Sequence, residues 1–395
     1  MLDRYLGIPF VFVAGHLRTK RSLPVRPERI GLLNTAAVGD TVLMSGPIAD
    51  IRSAYPKAEI VFLAGPSNYE IACLLEGVDQ VIKLPVFSPL ATIKIVRNQR
   101  FNLLLDFGPW SRLNAIIAIC SGADFIGGFR TNAQARHFGY DLFVDHSENA
   151  HELENHRGIV RALGILPSHS PSVRVSSDIR PPGTFSPTDY VVLHLWPGGS
   201  AAKLKEWPLG RWIALAEDLA ADNHEVVLTG SENQRLLNDS VKDLIKASLR
   251  SRVKNLAGSS LHETVWVLSR ARLVVSVDTG VMHLAAALGV PLIALHGPSS
   301  PLRWGPVSDK AVVIQPPLNG CGFLNLGFEK LRNAPACMNA ITYARVKAAC
   351  DTLLGRGSSR PEAFHRVPTF TNFAQPFPSS RPANIADHTR VMRSN

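Results

Sequence analysis

Cysteine is scarce in this sequence of 395 residues: Cys73, Cys120, Cys321, Cys337 and Cys350, an odd number with no CxxC pair. That scatter argues against a disulfide framework or a zinc knuckle and predicts reduced thiols in a cytoplasmic setting. No GxGxxG follows a first strand, and neither GxxxxGK nor GxSxG occurs. A dinucleotide oxidoreductase and a P-loop NTPase are therefore disfavoured, and no nucleophile elbow is present. No two aspartates are separated by a single residue, so the Asp-x-Asp clamp by which many sugar-nucleotide enzymes hold a divalent ion is missing. His146, His151 and His156 recur every five residues, which suits no common zinc spacing, and they are expected at the surface or at helix caps. No metal site and no cofactor are expected.

What is present is apolar matter, 46% of residues against 19% charged. That composition supports sizeable cores, and the length suggests two domains plus terminal extensions. The formal net charge is +10, but residues 1–29 and residues 356–395 each carry +4, leaving +2 for the 326 residues between. The body has no electrostatic footprint for nucleic acid. From Leu6 to Gly15 the chain is apolar, about half the length that spans a bilayer, and it is interrupted by Pro9 and followed by His16, Arg18, Lys20 and Arg21. Neither a transmembrane helix nor a signal peptide fits. Residues 5–21, with Tyr5, Phe10 and Phe12, carry two readings: a peripheral foot on anionic headgroups, or a segment packed on the body. The tail, 356–395, is rich in Ser, Pro, Arg and Asn without periodicity and is expected to be disordered.

Between the ends the pattern strand, loop, helix, strand occurs twice. The first instance runs from Arg29–Asn34 through Gly39-Asp40 and a helical stretch to Tyr55, then Ile60–Ala64. The second runs from Tyr190 to Leu195 through Pro197-Gly-Gly-Ser200 into a helix with Trp212, Leu215, Ala216, Leu219 and Ala220 at helical spacing, closing at Val226–Gly230. Further strands are expected at Val81–Leu84, Leu103–Asp106, Leu273–Ser276 and Leu292–Leu295. Short apolar strands alternating with helices predict an α/β fold of two Rossmann-like domains with a cleft between them. The expected organisation is an N-terminal segment 1–28, a first domain 29–170, a linker 171–188, a second domain 189–355 and the tail.

Three loops can carry chemistry. Gly39-Asp40-Thr41 follows the first strand: Gly39 lets backbone pass close to a ligand, and Asp40 is either a proton acceptor or an ordinary helix cap. Gly198-Gly199-Ser200, with Lys203 and Lys205 beyond, offers backbone N–H groups, a hydroxyl and cations to an anion. Asp278-Thr279-Gly280 ends a strand where ligands of open α/β sheets bind, and His283 either faces the cleft or is buried.

These segments, with Lys205-Glu-Trp207-Pro208, Asp278-Thr-Gly-x-x-His283 and Gly297-Pro298 in order, resemble the heptosyltransferase family, glycosyltransferase family nine, over about residues 29–355. The resemblance implies two facing Rossmann domains of the GT-B type, the second binding a nucleotide diphosphate sugar, such as ADP-heptose, and the first an acceptor. It implies assembly of lipopolysaccharide or a related lipid-linked glycan at the cytoplasmic face of a Gram-negative inner membrane. It makes Asp40 the base of an inverting, metal-independent transfer and places Ser200 and Lys205 on the phosphates. Asp278, Thr279, Gly280 and His283 would then line the nucleotide site, and Gly39 and Thr41 the acceptor side. Ala201 stands where a second hydroxyl is frequent, and Asn34 and Ala36 stand where members commonly have arginine and serine; this pair lies beside the proposed base and leaves the identity of the acceptor, and with it the sugar, open. Two alternatives stay open: a sugar-nucleotide epimerase or hydrolase of the same architecture, and a non-catalytic glycan-binding protein.

Overall fold

The computed structural model describes residues 7–132, 134–175, 181–183, 185, 189–199, 201–325, 329 and 334–356. Two six-stranded sheets, every pairing parallel, organise the chain. The first contains β1 (Arg29–Asn34), β2 (Glu59–Ala64), β3 (Gln80–Lys83), β4 (Leu103–Asp106), β5 (Phe125–Arg130) and β6 (Leu142–Asp145). The second contains β7 (Tyr190–His194), β8 (Glu225–Thr229), β9 (Val253–Asn255), β10 (Leu273–Val277), β11 (Leu292–Leu295) and β12 (Ala311–Ile314). Their orders are β3-β2-β1-β4-β5-β6 and β12-β11-β10-β7-β8-β9. Counted from its own first strand, each sheet has the Rossmann order 3-2-1-4-5-6 and reverses between its first and fourth strands. A crevice therefore opens beyond the carboxyl ends of β1 and β4, and another beyond β7 and β10.

Continuous apolar runs such as Val191-Val-Leu193 and Leu273-Val-Val275 become central strands because helices cover both faces and every side chain is buried. The helix Leu209–Ala221 buries the five apolar residues that its spacing singled out. Four strands escape a reading by pattern: β5, β6, β9 and β12. β5 carries Gly127-Gly128, a residue type depleted in strands, and β9 is only three residues long. β6 and β12 are four-residue edge strands whose burial is incomplete.

The lobes meet along an apolar seam. Val42, Ile71 and Leu74 of the first lobe pack into one cluster with Val265, Leu268, Met282 and Ala285 of the second. There the helix Val38–Ala54 approaches the helix Gly280–Ala287 so closely that a Cβ on Gly280 would lie 2.8 Å from Val38 Cβ. Residues at the start of the connection to β7 dock on the helix Val38–Ala54: Ser172 N–H donates to Ser45 Oγ at 2.9 Å, and Ser168 N–H donates to Asp50 at 2.8 Å.

Before β1, Ile8–Leu17 is a helix, with Pro9 tolerated in its first turn. Val11 and Gly15 are buried against the first lobe, and Arg18 pairs with the buried Asp141 at 2.6 Å. Phe10, Phe12, Val13 and Leu17 face outward. The segment is thus packed on one side and apolar on the open side; Tyr5 and residues 357–395 of the tail lie outside the described residues. No helix among the described residues is long and apolar enough to cross a membrane.

The thiol expectation is corrected in part. Cys321 and Cys337 form a disulfide, while Cys73, Cys120 and Cys350 are free. The partners are 16 residues apart, a separation no short motif reveals, and Cys337 opens the helix Cys337–Ala340.

Candidate active site

In the first crevice, three residues separate β1 from the helix Val38–Ala54, which is capped by Ala37 without any side-chain bond. Ala37 adopts φ 48°, a region that costs a non-glycine residue on the order of 1 kcal/mol. Its carbonyl is held by Thr41, whose N–H and Oγ1 donate to it at 3.3 and 2.9 Å. Asp40 is therefore not the cap. It sits in the first helical turn, and none of the described residues hydrogen-bonds its carboxylate. Burial pushes its pKa up to about 7, Glu152 and Asp278 add to the rise, and Arg303 opposes it.

Two expectations for this loop change. Thr41 is fully buried, donating to Ala37 O and accepting from Asn68, so it braces the loop and does not line the acceptor side. Gly39 makes room for His283 of the other lobe, since a Cβ there would lie 2.8 Å from the imidazole Cδ2. Asn34, buried under the loop, accepts from Ala36 N–H at 3.2 Å and shapes the turn.

Next to Asp40 stands a cluster that spacing missed. His146, His151 and His156 are all buried, correcting the surface expectation. The physical reason is that the helix Glu152–Ala162 starts only after the second of them. His146 lies in the loop after β6, His151 caps the helix by accepting from Leu153 N–H, and His156 points inward. Between them lies Glu152, with His146 Nε2 3.1 Å from both carboxylate oxygens and His156 Nε2 at 3.7 Å. Arg303, from the short helix Pro301–Trp304 of the second lobe, reaches the same carboxylate at 2.6 Å. Burial opposes the Glu152 charge, but His146, His156 and Arg303 outweigh it and hold the carboxyl well below its usual range. His151 and His156, desolvated, are pushed down to about 4 and are neutral. The sequence signal that existed was Pro301-Leu-Arg303-Trp-Gly-Pro306, an arginine between two prolines just beyond Gly297-Pro298.

In the second crevice, Gly198 and Gly199 are exposed after β7, and Gly199 at φ 87° needs glycine. Ser200 lies outside the described residues. Lys205 ends the 3-10 turn Ala202–Lys205, and the next helix starts only at Leu209, so its dipole is further from the loop than expected. Lys205 Nζ donates to Asp278 O at 3.1 Å and lies 3.6 Å from Asp278 Oδ2. Burial works against the Asp278 charge, but Lys205, helped by His296 and His283, holds the carboxyl below its usual range. Thr279 caps the helix Gly280–Ala287 by accepting from Val281 N–H at 3.2 Å. His283 is buried against Gly39, its pKa pushed down to about 3 by desolvation.

The structure thus brings together Asp40, Asp278, Lys205, Thr279, Gly280, His283 and Gly39 where the lobes meet. One side of the cleft offers a carboxylate near its midpoint of ionisation, and the other offers a lysine beside a helix start. Two facing Rossmann-like lobes with these groups define a glycosyltransferase of the GT-B type. The model of glycosyltransferase family 9 (heptosyltransferase) matches residues 90–321, more than half of the chain, and the chain belongs to this family. It is 26% identical over 323 residues to lipopolysaccharide heptosyltransferase 2 of Salmonella typhimurium, covering 77% of this chain and 90% of that one. Lipooligosaccharide heptosyltransferase 2 of Haemophilus influenzae is 37% identical over 125 residues, 31% of this chain and 36% of that protein. The structure of E. coli ADP-heptose lipopolysaccharide heptosyltransferase II superposes with a TM-score of 0.68 at 23% identity, over 83% of this chain and 99% of that one. A family 9 glycosyltransferase from Veillonella parvula gives 0.73 at 18% identity, over 86% and 100% of the two chains. Both share the fold.

Proposed function

We propose that this enzyme is an inverting, metal-independent transferase that moves heptose from ADP-heptose to a lipopolysaccharide-type, lipid-linked acceptor. The donor and acceptor classes come from the names of its relatives. Residues 29–170 form the acceptor lobe and 189–355 the donor lobe. The observation that carries the reading is the contrast across the cleft: Asp40 is unpaired with a pKa of about 7, while Asp278 is occupied by Lys205.

Asp40 takes the proton of the acceptor hydroxyl as its oxygen attacks the anomeric carbon from the face opposite the diphosphate. The new carbon–oxygen bond forms as the bond to the diphosphate breaks, and ADP leaves with the electron pair. Lys205 and the N–H groups at the start of Gly280–Ala287 stabilise the charge that collects on it. Ser200, outside the described residues, is expected to add its hydroxyl to the phosphates. Turnover therefore continues in EDTA; abolition restored by magnesium or manganese would contradict metal independence. Incubation with ADP-heptose, with and without a lipooligosaccharide acceptor, tests the transfer itself. ADP release that requires acceptor supports it, and equal release without acceptor would make the enzyme a hydrolase.

The exposed apolar face of Ile8–Leu17, with Lys20 and Arg21 beside it, suits peripheral contact with anionic lipid at the cytoplasmic face of the inner membrane. Because Val11 and Arg18 are packed into the body, the test is substitution of the open face. Phe10→Ser with Leu17→Ser is expected to keep the fold and lose sedimentation with phosphatidylglycerol vesicles; retained sedimentation would place the contact elsewhere.

A further inference from the structure

Apart from the apolar seam, the lobes are joined a second time by polar groups that the chemistry above leaves unused. Arg303 projects from the donor lobe into the acceptor lobe, 97% buried, while its neighbour Leu302 turns to solvent. Its guanidinium meets the Glu152 carboxylate at 2.6 Å and donates to Ala150 O at 2.9 Å, with Ser147 O at 3.4 Å. Two residues on, Gly305 O accepts from His151 Nε2 at 3.0 Å, a second bond across the same gap. The receiving side is prebuilt within the acceptor lobe. Asn155 donates to Glu152 Oε2 and to Ser147 O, both at 3.0 Å, and accepts from Ser147 N–H, so the loop carrying both carbonyls is fixed to the helix carrying Glu152. The Arg303 contacts to Glu152, Ala150 and Ser147 are all made by Nη1, and Nη2 lies 3.4 Å from His146 Nε2; a lysine would keep the charge but lose the length of the guanidinium and the second nitrogen that faces His146.

We propose that Arg303 is a positioning residue for transfer: a strut from the donor lobe that, seated on Glu152, holds Asp40 at a fixed distance from the donor site while touching neither substrate. This rests on Asp40 being the base. The seam holds Val38, two residues before Asp40, against Gly280, and the strut seats on Glu152, whose charge acts on Asp40, so the lobes are fixed at two places close to Asp40. Misplacement of reacting groups by about 1 Å costs about a hundredfold in rate. The charged and titratable groups around Asp40 are Glu152, Arg303 and Asp278, with Lys205, His151, His283 and His296 behind them. Arg303 and Glu152 act on the Asp40 proton in opposite senses. Loss of one moves the ionisation one way, and loss of the other moves it the other way.

The test is a set of full-chain variants, Arg303→Lys, Arg303→Gln, Glu152→Gln and the Arg303→Gln/Glu152→Gln pair, with Asp40→Asn as reference. Three quantities are read: ADP affinity by calorimetry, kcat with ADP-heptose and lipooligosaccharide, and the acid limb of the pH–rate profile. Arg303→Lys is expected to lower kcat about tenfold to a hundredfold while ADP affinity stays within about twofold, because ADP is held by the donor lobe alone. Arg303→Gln is expected to move the acid limb to higher pH and Glu152→Gln to lower pH. The pair leaves no buried charge unmatched, so it is expected to fold normally, return the limb towards the parent position and keep the low kcat. Unchanged kcat in Arg303→Lys, limbs moving the same way in the two single glutamine variants, or kcat restored in the pair would each overturn the proposal. If Asp40→Asn itself keeps full turnover, the reading of Asp40 fails; if Asp40→Asn is inactive and the Arg303 series is silent, only the strut fails.

Discussion

Two aspartates at the mouths of two sheets of identical strand order have opposite chemistry. Asp40 has no hydrogen-bond donor on its carboxylate among the described residues, lies near the negative Glu152 and Asp278, and is driven up to about 7. Asp278 has Lys205 3.6 Å from its carboxylate and is held low. Both are desolvated, so burial alone does not separate them; the nearest opposite charge does. A fold repeated twice thus yields a carboxylate near its midpoint of ionisation in one lobe and a permanent anion in the other, which keeps a lysine in place.

The most damaging way to break this contrast is Asp40→Asn. It leaves helix and cap untouched, since Ala37 is the cap, but cannot take a proton. Turnover is expected to fall by about a hundredfold to ten-thousandfold with ADP affinity unchanged, as steady-state kinetics and calorimetry can check. On the other side of the cleft, Lys205→Ala removes a charged donor, worth about 1.5–3 kcal/mol, and weakens ADP binding correspondingly without moving the acid limb appreciably. Equal ADP affinity would return Lys205 to a structural role with Asp278. A smaller change sharpens the comparison further. Asp278→Asn removes one negative charge near Asp40, so the acid limb of turnover is expected to move to lower pH, by less than one unit; an upward shift would contradict the coupling between the lobes.

Stability gives a fourth test that treats the lobes alike. His151 and His156 in the first and His194 in the second have pKa values near 4, and His283 near 3, each lowered chiefly by burial. Below about 6.5 the unfolded chain binds protons that these folded histidines refuse, so stability is present above that pH and is lost as pH falls towards 4. At pH 5.5 each is expected to cost about 1 kcal/mol, seen as a lower Tm in calorimetry. A Tm that stays level from pH 7 to 5 would contradict their neutral burial.

Much of this was legible because parallel strands buried on both faces leave continuous apolar runs, and because the loops beyond them carry small and charged residues at the crevice. Asp40, Lys205 and Asp278 are local features of such loops. Glu152 and Arg303 were not legible: they are 151 residues apart in sequence, and only the approach of the lobes pairs them. The histidines misled for the same reason, since a five-residue spacing has meaning only on one element and here straddles a loop, a cap and a helix. Thr41 misled because its neighbour Asp40 faces the cleft, while helical geometry turns the next residue into the core. The bond between Cys321 and Cys337 likewise has a separation of 16 residues that no spacing rule encodes.

The claim that Asp40 is an unpaired base near its midpoint at neutral pH is tested most directly by the pH dependence of kcat/KM for the acceptor at saturating ADP-heptose. The raised pKa means that the carboxylate is ionised, and able to accept a proton, only above about 7. The rate is expected to rise with pH through a single ionisation centred near 7, and the residual rate of Asp40→Asn is expected to show no such step. A limb centred below pH 5, or one near 7 that persists in the asparagine variant, would contradict the account.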